Sequence, residues 1–339
     1  MQTQASSSTT LTERQQLPLI LRSLQIFESL GVVALLLIVL VVMSISKPVY
    51  VNYNNLNNII ITASIIAVTG LGMTLAIAMG DLDLSVGSNQ ALSACIAADL
   101  LTKTSLPLTI AGTLGLGLGI GLINGIIITR LRVPAFVATL GMMSILRGAA
   151  LLYTDGQSFL IMGYDNFARL NSAKVLGIPM PFIIALAILI IFYILLRHTP
   201  FGRHVCAIGG NEQAARATGL KIAKTRVMVF GLVGMSAAMS GIMLAAQLLF
   251  VDGTLGAGLE LQAIAVTVLG GTSLAGGSGN LPGTLLGAIL IASINSALNI
   301  LKVPPFYQYM ALGLLLILAL TLDTIRRAVI KRVVTESVR

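Results

Sequence analysis

The 339-residue sequence has no tryptophan, two histidines, two cysteines and only 10% charged residues. A soluble domain carries about a quarter charged residues, so this scarcity excludes an ordinary water-exposed fold. Cys95 and Cys206 are too few for a disulfide framework, and neither joins a His/Cys/acidic group at metal-ligand spacing. The sequence therefore offers no metal site and no catalytic constellation. It also lacks G-x-x-x-x-G-K-[ST], the loop that cradles nucleotide phosphates, so any ATP and Mg it depends on must be bound by another chain. Acidic residues number 12 against 21 basic ones, a formal charge of +9. In a soluble chain that would suggest nucleic acid. Here the cations gather at the ends of apolar runs, where the positive-inside rule places them, and nucleic acid is not the expected partner.

What is abundant is apolar length. Hydrophobic residues make up 56% of the chain and the mean hydropathy is +0.95. Runs of roughly 20 apolar residues, enough to cross about 30 Å of hydrocarbon, recur throughout. They fall near 29–46, 57–79, 86–102, 107–129, 135–153, 180–197, 226–250, 261–275, 283–301 and 307–323. The fold expected is an all-α polytopic membrane protein of about ten helices, set in membrane lipid. The third and eighth runs are short and flanked by glycine and polar residues, so they are expected to be partial or broken. Non-helical backbone at membrane depth survives only inside protein or along a wet cavity.

Ten crossings put both termini on one side. "RRAVIKRVV" places Arg326, Arg327, Lys331 and Arg332 just after the last run, which makes that side the cytoplasm. The same count puts Arg130, Arg132 and the 198–225 loop inside and 154–179 outside. Residues 1–28, rich in Ser, Thr and Gln with no small-residue cleavage site, read as a cytoplasmic tail rather than a signal peptide. The organisation expected is that tail, a membrane body over 29–323, and a basic cytoplasmic tail over 324–339.

The most polar long stretch of the body is "TPFGRHVCAIGGNEQAARATGL", 199–220. Within it Asn211 is a good N-cap, Glu212 suits the positive end of a helix dipole, and Gly219 suits a left-handed stop. A helix over 212–218 would be about 10 Å long and unstable alone in water. It is either a capped connector on the membrane surface or a surface read by another protein.

Other motifs carry two readings each. "AGTLGLGLGIGLING" (111–125) mimics a phosphate loop, but no strand precedes it, and close helix packing explains it better. In "GDLDLSVGS" (80–88), Asp83 and Ser85 can cap the next helix, or with Asp81 they can line a cavity; an unpaired carboxylate in hydrocarbon is costly. "GGTSLAGGSG" (270–279) echoes that turn as a weak internal repeat. Asn89, Gln90, Asn124, Asn295 and Asn299 are amides in apolar runs, with Asn295 and Asn299 on one helix face. They either bond between helices or line a path for a hydroxyl-rich solute. Arg147 is expected to snorkel or pair near a membrane end rather than bind ligand.

Four stretches taken together resemble the ribose-type sugar permeases, the membrane subunits of bacterial ATP-binding cassette importers. They are "FGRHVCAIGGNEQAARATGL", "GDLDLSVGS", "FVATLGMMSILRG" (136–148) and "LQAIAVTVLGGTSLAGGSGNLPGTLLGA" (261–288). The resemblance runs from about residue 52 to 323 in the family's order and spacing. It implies the importer permease fold, an inner-membrane location and no covalent chemistry in this chain. It also implies a coupling helix, over 210–219, that contacts an ATPase subunit; Gly209, Gly210, Asn211, Glu212, Ala214, Ala215, Arg216 and Gly219 are its candidate residues. Asp81, Asp83, Ser85, Asn89, Asn124, Asn295 and Asn299 are the candidates for the path. The implied partners are ATPase subunits, a periplasmic sugar-binding protein and a second permease, identical or paralogous. Two positions depart from the pattern: Gly80-Asp81-Leu82 where a second glycine is common before the "DLSVG" turn, and Gln262 where an acidic residue often follows Glu-Leu. An ion-coupled carrier or channel is the alternative; it would require intramembrane ionisable residues facing a cavity. A membrane-bound enzyme is a remote third reading.

Overall fold

The computed structural model describes residues 31–336; the 1–28 segment lies outside them. Thirteen helices follow one another among the described residues. The order begins with α1 (Gly31–Ser46), then a 3-10 turn (Pro48–Val51), α2 (Tyr53–Ala78), α3 (Val86–Lys103), α4 (Leu106–Arg130) and α5 (Ala135–Tyr153). It continues with α6 (Asp165–Ser172), α7 (Met180–His198), α8 (Pro200–Gly210), α9 (Glu212–Ala217) and α10 (Ile222–Leu248). It closes with α11 (Leu259–Leu269), α12 (Leu281–Ile300) and α13 (Pro305–Glu336). Among the described residues six helices, α2, α4, α5, α7, α10 and α12, are long and apolar enough to cross a membrane.

Local chemistry sets many of the boundaries. Asn52 accepts from the Asn54 amide at 3.2 Å to start α2. Proline in the first turn opens α4, α7, α8 and α12, where its missing N–H costs nothing. Leu249, at φ +55°, turns the chain out of α10. The eighth run ends sooner than its apolar extent suggests. α11 has 11 residues, about 16 Å of rise, too short to span. The chain after it turns through Gly271, Gly276 and Gly277, all with positive φ, which a continued helix cannot accommodate. At the other extreme α13 continues past 323, because "TIRRAVIKRVV" contains no glycine or proline to stop it.

α2 is the axis of the bundle: nearly every residue from Ile59 to Ala78 is buried, against α7, α10, α11 and α12. α10 is the second axis, packed on α2, α3 and α4. The α4–α10 contact explains the glycine run. A Cβ on Gly117 would meet the Gly234 carbonyl at 2.5 Å, one on Gly125 would meet Val227 Cα at 2.6 Å, and one on Gly121 would overlap the Phe230 carbonyl. These glycines recur every fourth residue on one face, so backbone meets backbone. Gly115 and Gly119, off that face, have nothing within 4 Å. The outer faces of α4, α5 and α7 expose Ile123, Ile126, Phe136, Val137, Ile190 and Ile191; a surface this apolar belongs in lipid.

One end of the bundle is capped by the 154–179 connection. Its β1 (Phe159–Leu160) pairs antiparallel with β4 (Phe250–Val251), and β2 (Lys174–Val175) with β3 (Ile178–Pro179). α6 buries Phe167 against this end. Arg147 donates to the Gly253 and Leu255 carbonyls at 2.8 Å each, tying α5 to the loop that leads into α11.

Candidate functional site

At the opposite end lies the polar loop. Thr199 Oγ1 accepts from the Gly202 amide at 3.3 Å to cap α8, and Asn211 Oδ1 accepts from the Ala214 amide at 2.9 Å to cap α9. Gly219 closes the pair at φ +79°. α9 has six residues, a single turn and a half, so its position depends on what holds it.

Two devices hold it. The first is backbone contact. Gly209, at the end of α8, packs where a Cβ would overlap the Ala78 carbonyl and stand 2.7 Å from the Gly277 amide nitrogen. That amide donates to the Ala78 carbonyl at 2.9 Å. The end of α2, the end of α8 and the 270–280 turn therefore meet at one point. Gly210 is roomier: its Cβ would find Gly277 Cα at 3.9 Å.

The second device is ionic. Arg226, in the first turns of α10, donates through Nε to Asp81 at 2.6 Å and through Nη2 to Glu212 at 2.9 Å. Glu212 also accepts from Arg216 at 2.8 Å. The Arg226 and Asp81 side chains are 15% and 11% exposed, whereas Arg216 is 71% exposed. The hydrogen bond from Arg226 holds the Glu212 carboxyl below its usual range, against a smaller opposing effect of burial. α9 is thus tied through one guanidinium to the turn between α2 and α3. Ala215 faces inward, leaving Gln213, Ala214, Arg216 and Ala217 exposed.

The remaining candidates separate into two groups. Asp83 is buried and accepts from the Ser85 amide at 2.9 Å and the Ser85 hydroxyl at 2.6 Å. Asn124 on α4 donates to Ser85 Oγ at 2.9 Å. Asn89 donates to the Gly234 carbonyl at 3.2 Å and accepts from Ser93 at 3.0 Å. Of these bonds, Asn124–Ser85 joins α4 to the start of α3 and Asn89–Gly234 joins α3 to α10, while the others are local. Asn295 and Asn299 are far from them, lining a groove of about 310 Å³ between α2 and α12 with Asn55, Asn58, Thr62 and Ser296. There Ser296 donates to Asn55 at 2.8 Å, and Gln308 of α13 donates to Asn299 at 2.8 Å.

Three features escaped the sequence reading. Arg226 stands at the start of the 226–250 run, and nothing local pairs it with Asp81, 145 positions away. Asn55 and Asn58 sit in "NYNNLNN", whose asparagine density at the mouth of a span was the available signal. Glu260, in the first turn of α11, has a buried Oε2 without a hydrogen-bond partner among the described residues, as does Gln90 Oε1. An ionisable residue at the start of an apolar run was its signal. Among the described residues no group of three or more His, Cys, Asp or Glu could hold a metal.

A helical bundle with lipid-type outer faces, a half-length helix between glycine turns and a tethered short helix at one end is that of a multi-pass integral membrane protein. The chain belongs to the family described as branched-chain amino acid transport system / permease component, which matches residues 55–320. It is 39% identical to the ribose import permease protein RbsC of Escherichia coli K12 over 303 residues, 88% of this chain and 94% of that protein. RbsC of Bacillus subtilis is 38% identical over 88% of this chain and 93% of its own length. The L-arabinose ABC transporter permease protein AraH of Azospirillum brasilense is 35% identical over 89% of each chain. No solved structure matches this chain. Membership in this family makes the protein a permease rather than an enzyme and sets aside the ion-coupled carrier.

Proposed function

We propose that the chain is the membrane subunit of an ATP-driven importer for a sugar of pentose size. It works as a pair with a second permease, takes solute from a periplasmic binding protein, and is driven by ATPase subunits that bind ATP and Mg. The solute class rests on the substrates named for the relatives, ribose and L-arabinose. In this reading 198–225 and both tails, 1–28 and 324–339, are cytoplasmic and 154–179 is periplasmic, in the inner membrane of a bacterium.

The observation that carries the coupling role is the Asp81–Arg226–Glu212 tie. A short helix docked on an ATPase through Gln213, Ala214, Arg216 and Ala217 would move as that subunit closes. Because Arg226 and Asp81 are largely desolvated, their separation is costly, and motion of α9 is passed to the α2–α3 turn rather than lost in side-chain slack. The Gly209–Ala78–Gly277 junction passes the same motion to the 270–280 turn. The path uses the Asn295/Asn299 groove, whose neutral amides bond hydroxyls without trapping a charge. Asp83, Ser85, Asn89 and Asn124 serve it from a distance, holding α3 to α4 and α10, and Asp81 belongs to the ionic tie.

The test is uptake into proteoliposomes containing the full complex, with the binding protein outside and ATP within. ATP-dependent accumulation of a pentose supports the reading. Movement under a proton gradient without ATP sinks it. Orientation is tested by Ser158→Cys and Thr218→Cys in intact cells: an impermeant thiol reagent should label the first and spare the second.

A further inference from the structure

Beside α9, the ends of α4 and α10 enclose an open groove of about 670 Å³, and of its lining only Arg216 takes part in the proposed ATPase contact. Arg130, Arg216, Lys221 and Lys224 line it, and no acidic residue does. Arg216 is occupied by Glu212, but Arg130, Lys221 and Lys224 make no ion pair among the described residues. Three uncompensated cations around one concavity repel each other, so an anion is the occupant that lowers the energy.

The groove is also shaped for a tail. Its floor includes Ile126 and Met228, 49% and 43% exposed. One turn deeper along α4 lies Ile123, 50% exposed. This strip leaves the charged rim in the direction of the membrane interior, since α4 and α10 are both membrane-crossing helices. A cationic rim with an apolar strip running into the span matches an amphiphile; a wholly water-soluble anion would leave the strip unused. Basic pockets between helices at a membrane end are suited to anionic headgroups. We infer that this groove binds an anionic phospholipid, its phosphate held by Arg130, Lys221 and Lys224 and an acyl chain lying along Ile126 and Ile123. The lipid would brace the membrane ends of α4 and α10 beside the tethered α9.

The experiment is native mass spectrometry of the full-length chain with phosphatidylglycerol or phosphatidylcholine added, comparing wild type with the triple variant R130Q/K221Q/K224Q. Each cation near a headgroup contributes roughly fivefold in affinity, so the triple variant should lose at least about tenfold for phosphatidylglycerol and nothing for phosphatidylcholine. The charge-keeping variant R130K/K221R/K224R should retain binding. If the glutamine variant does not fold, K221Q and K224Q singly should each show a partial loss. Equal retention of phosphatidylglycerol by wild type and variant overturns the inference, as does equal retention of the two lipids by wild type. Displacement of the lipid by millimolar inorganic phosphate would make this a free-anion site and overturn it too. So would displacement by an ATPase subunit, which would mean that an acidic protein surface covers the groove.

Discussion

Arg226 and Asp81, 145 positions apart, meet at 2.6 Å with both side chains largely out of solvent. The same guanidinium reaches Glu212 on α9 at 2.9 Å, so one cation joins the end of one membrane helix, the start of another and the short helix of the polar loop.

Asp81→Asn should therefore cost more than a surface charge change. Removing one member of a buried pair leaves the other charge uncompensated, a loss of about 3 kcal/mol when burial is complete; the residual contact to Glu212 reduces it here. We expect a lower unfolding temperature in detergent and slowed ATP-driven uptake. Unchanged melting and uptake in Asp81→Asn would show that the tie carries neither stability nor coupling.

The pH dependence follows from Glu212. Its carboxyl is held below the usual range in the folded chain by the Arg226 hydrogen bond. Its contribution is therefore fully present above the ordinary glutamate value and is lost as pH falls through the depressed folded value. Thermal stability followed downward from neutral pH should fall only in the acid range, and Glu212→Gln should flatten that fall. A loss that begins near neutral pH and is unaffected by Glu212→Gln would assign it to another group.

The two adjacent glycines of the loop should behave differently. Gly209→Val places a side chain against the Ala78 carbonyl, with backbone on both sides and no flexible atom to yield. It should sharply reduce the amount of folded protein recovered from membranes. Gly210→Ala meets only Gly277 Cα at 3.9 Å and should be within about 1 kcal/mol of wild type. Equal recovery of the two variants would contradict the junction.

A parallel contrast tests the α4–α10 face. Gly121→Ala should disrupt packing because its Cβ meets the Phe230 carbonyl, while Gly119→Ala has nothing within 4 Å and should be neutral or slightly stabilising. Melting of the two variants in the same detergent decides it.

For the groove, Asn295→Leu should lower ATP-driven uptake by about tenfold, the cost of roughly one lost hydrogen bond to solute, without altering the binding protein's ligand affinity. Undiminished uptake would remove Asn295 from the path.

How much of this was readable beforehand depends on the range of the interaction involved. Hydropathy, helix caps and glycine spacing act over a few residues, so the ten apolar runs, the Asn211 cap and the close-packing role of 111–125 were visible in the sequence. That the eighth run would be partial was legible too, from the glycines that flank it; what the sequence did not show is where the following turn docks, with the Gly277 amide on the Ala78 carbonyl and Gly209 packed beside them. The candidate residues divide in the same way. Asp83 and Ser85 are two residues apart and meet in a local turn as their spacing allowed, but the helix cap expected of them does not form, since Ser85 makes no side-chain cap bond to α3. That Asn295 and Asn299 share a groove with Asn55 and Asn58, while Asn89 and Asn124 lie elsewhere, depends on how α2 and α12 cross. Composition by itself determined that the chain lives in a membrane, because transfer of apolar length is a sum over residues and needs no partner. Which charges meet was decided only by the tertiary structure. Arg226 could have served any acid in the chain, and the fold alone brings Asp81 and Glu212 to it.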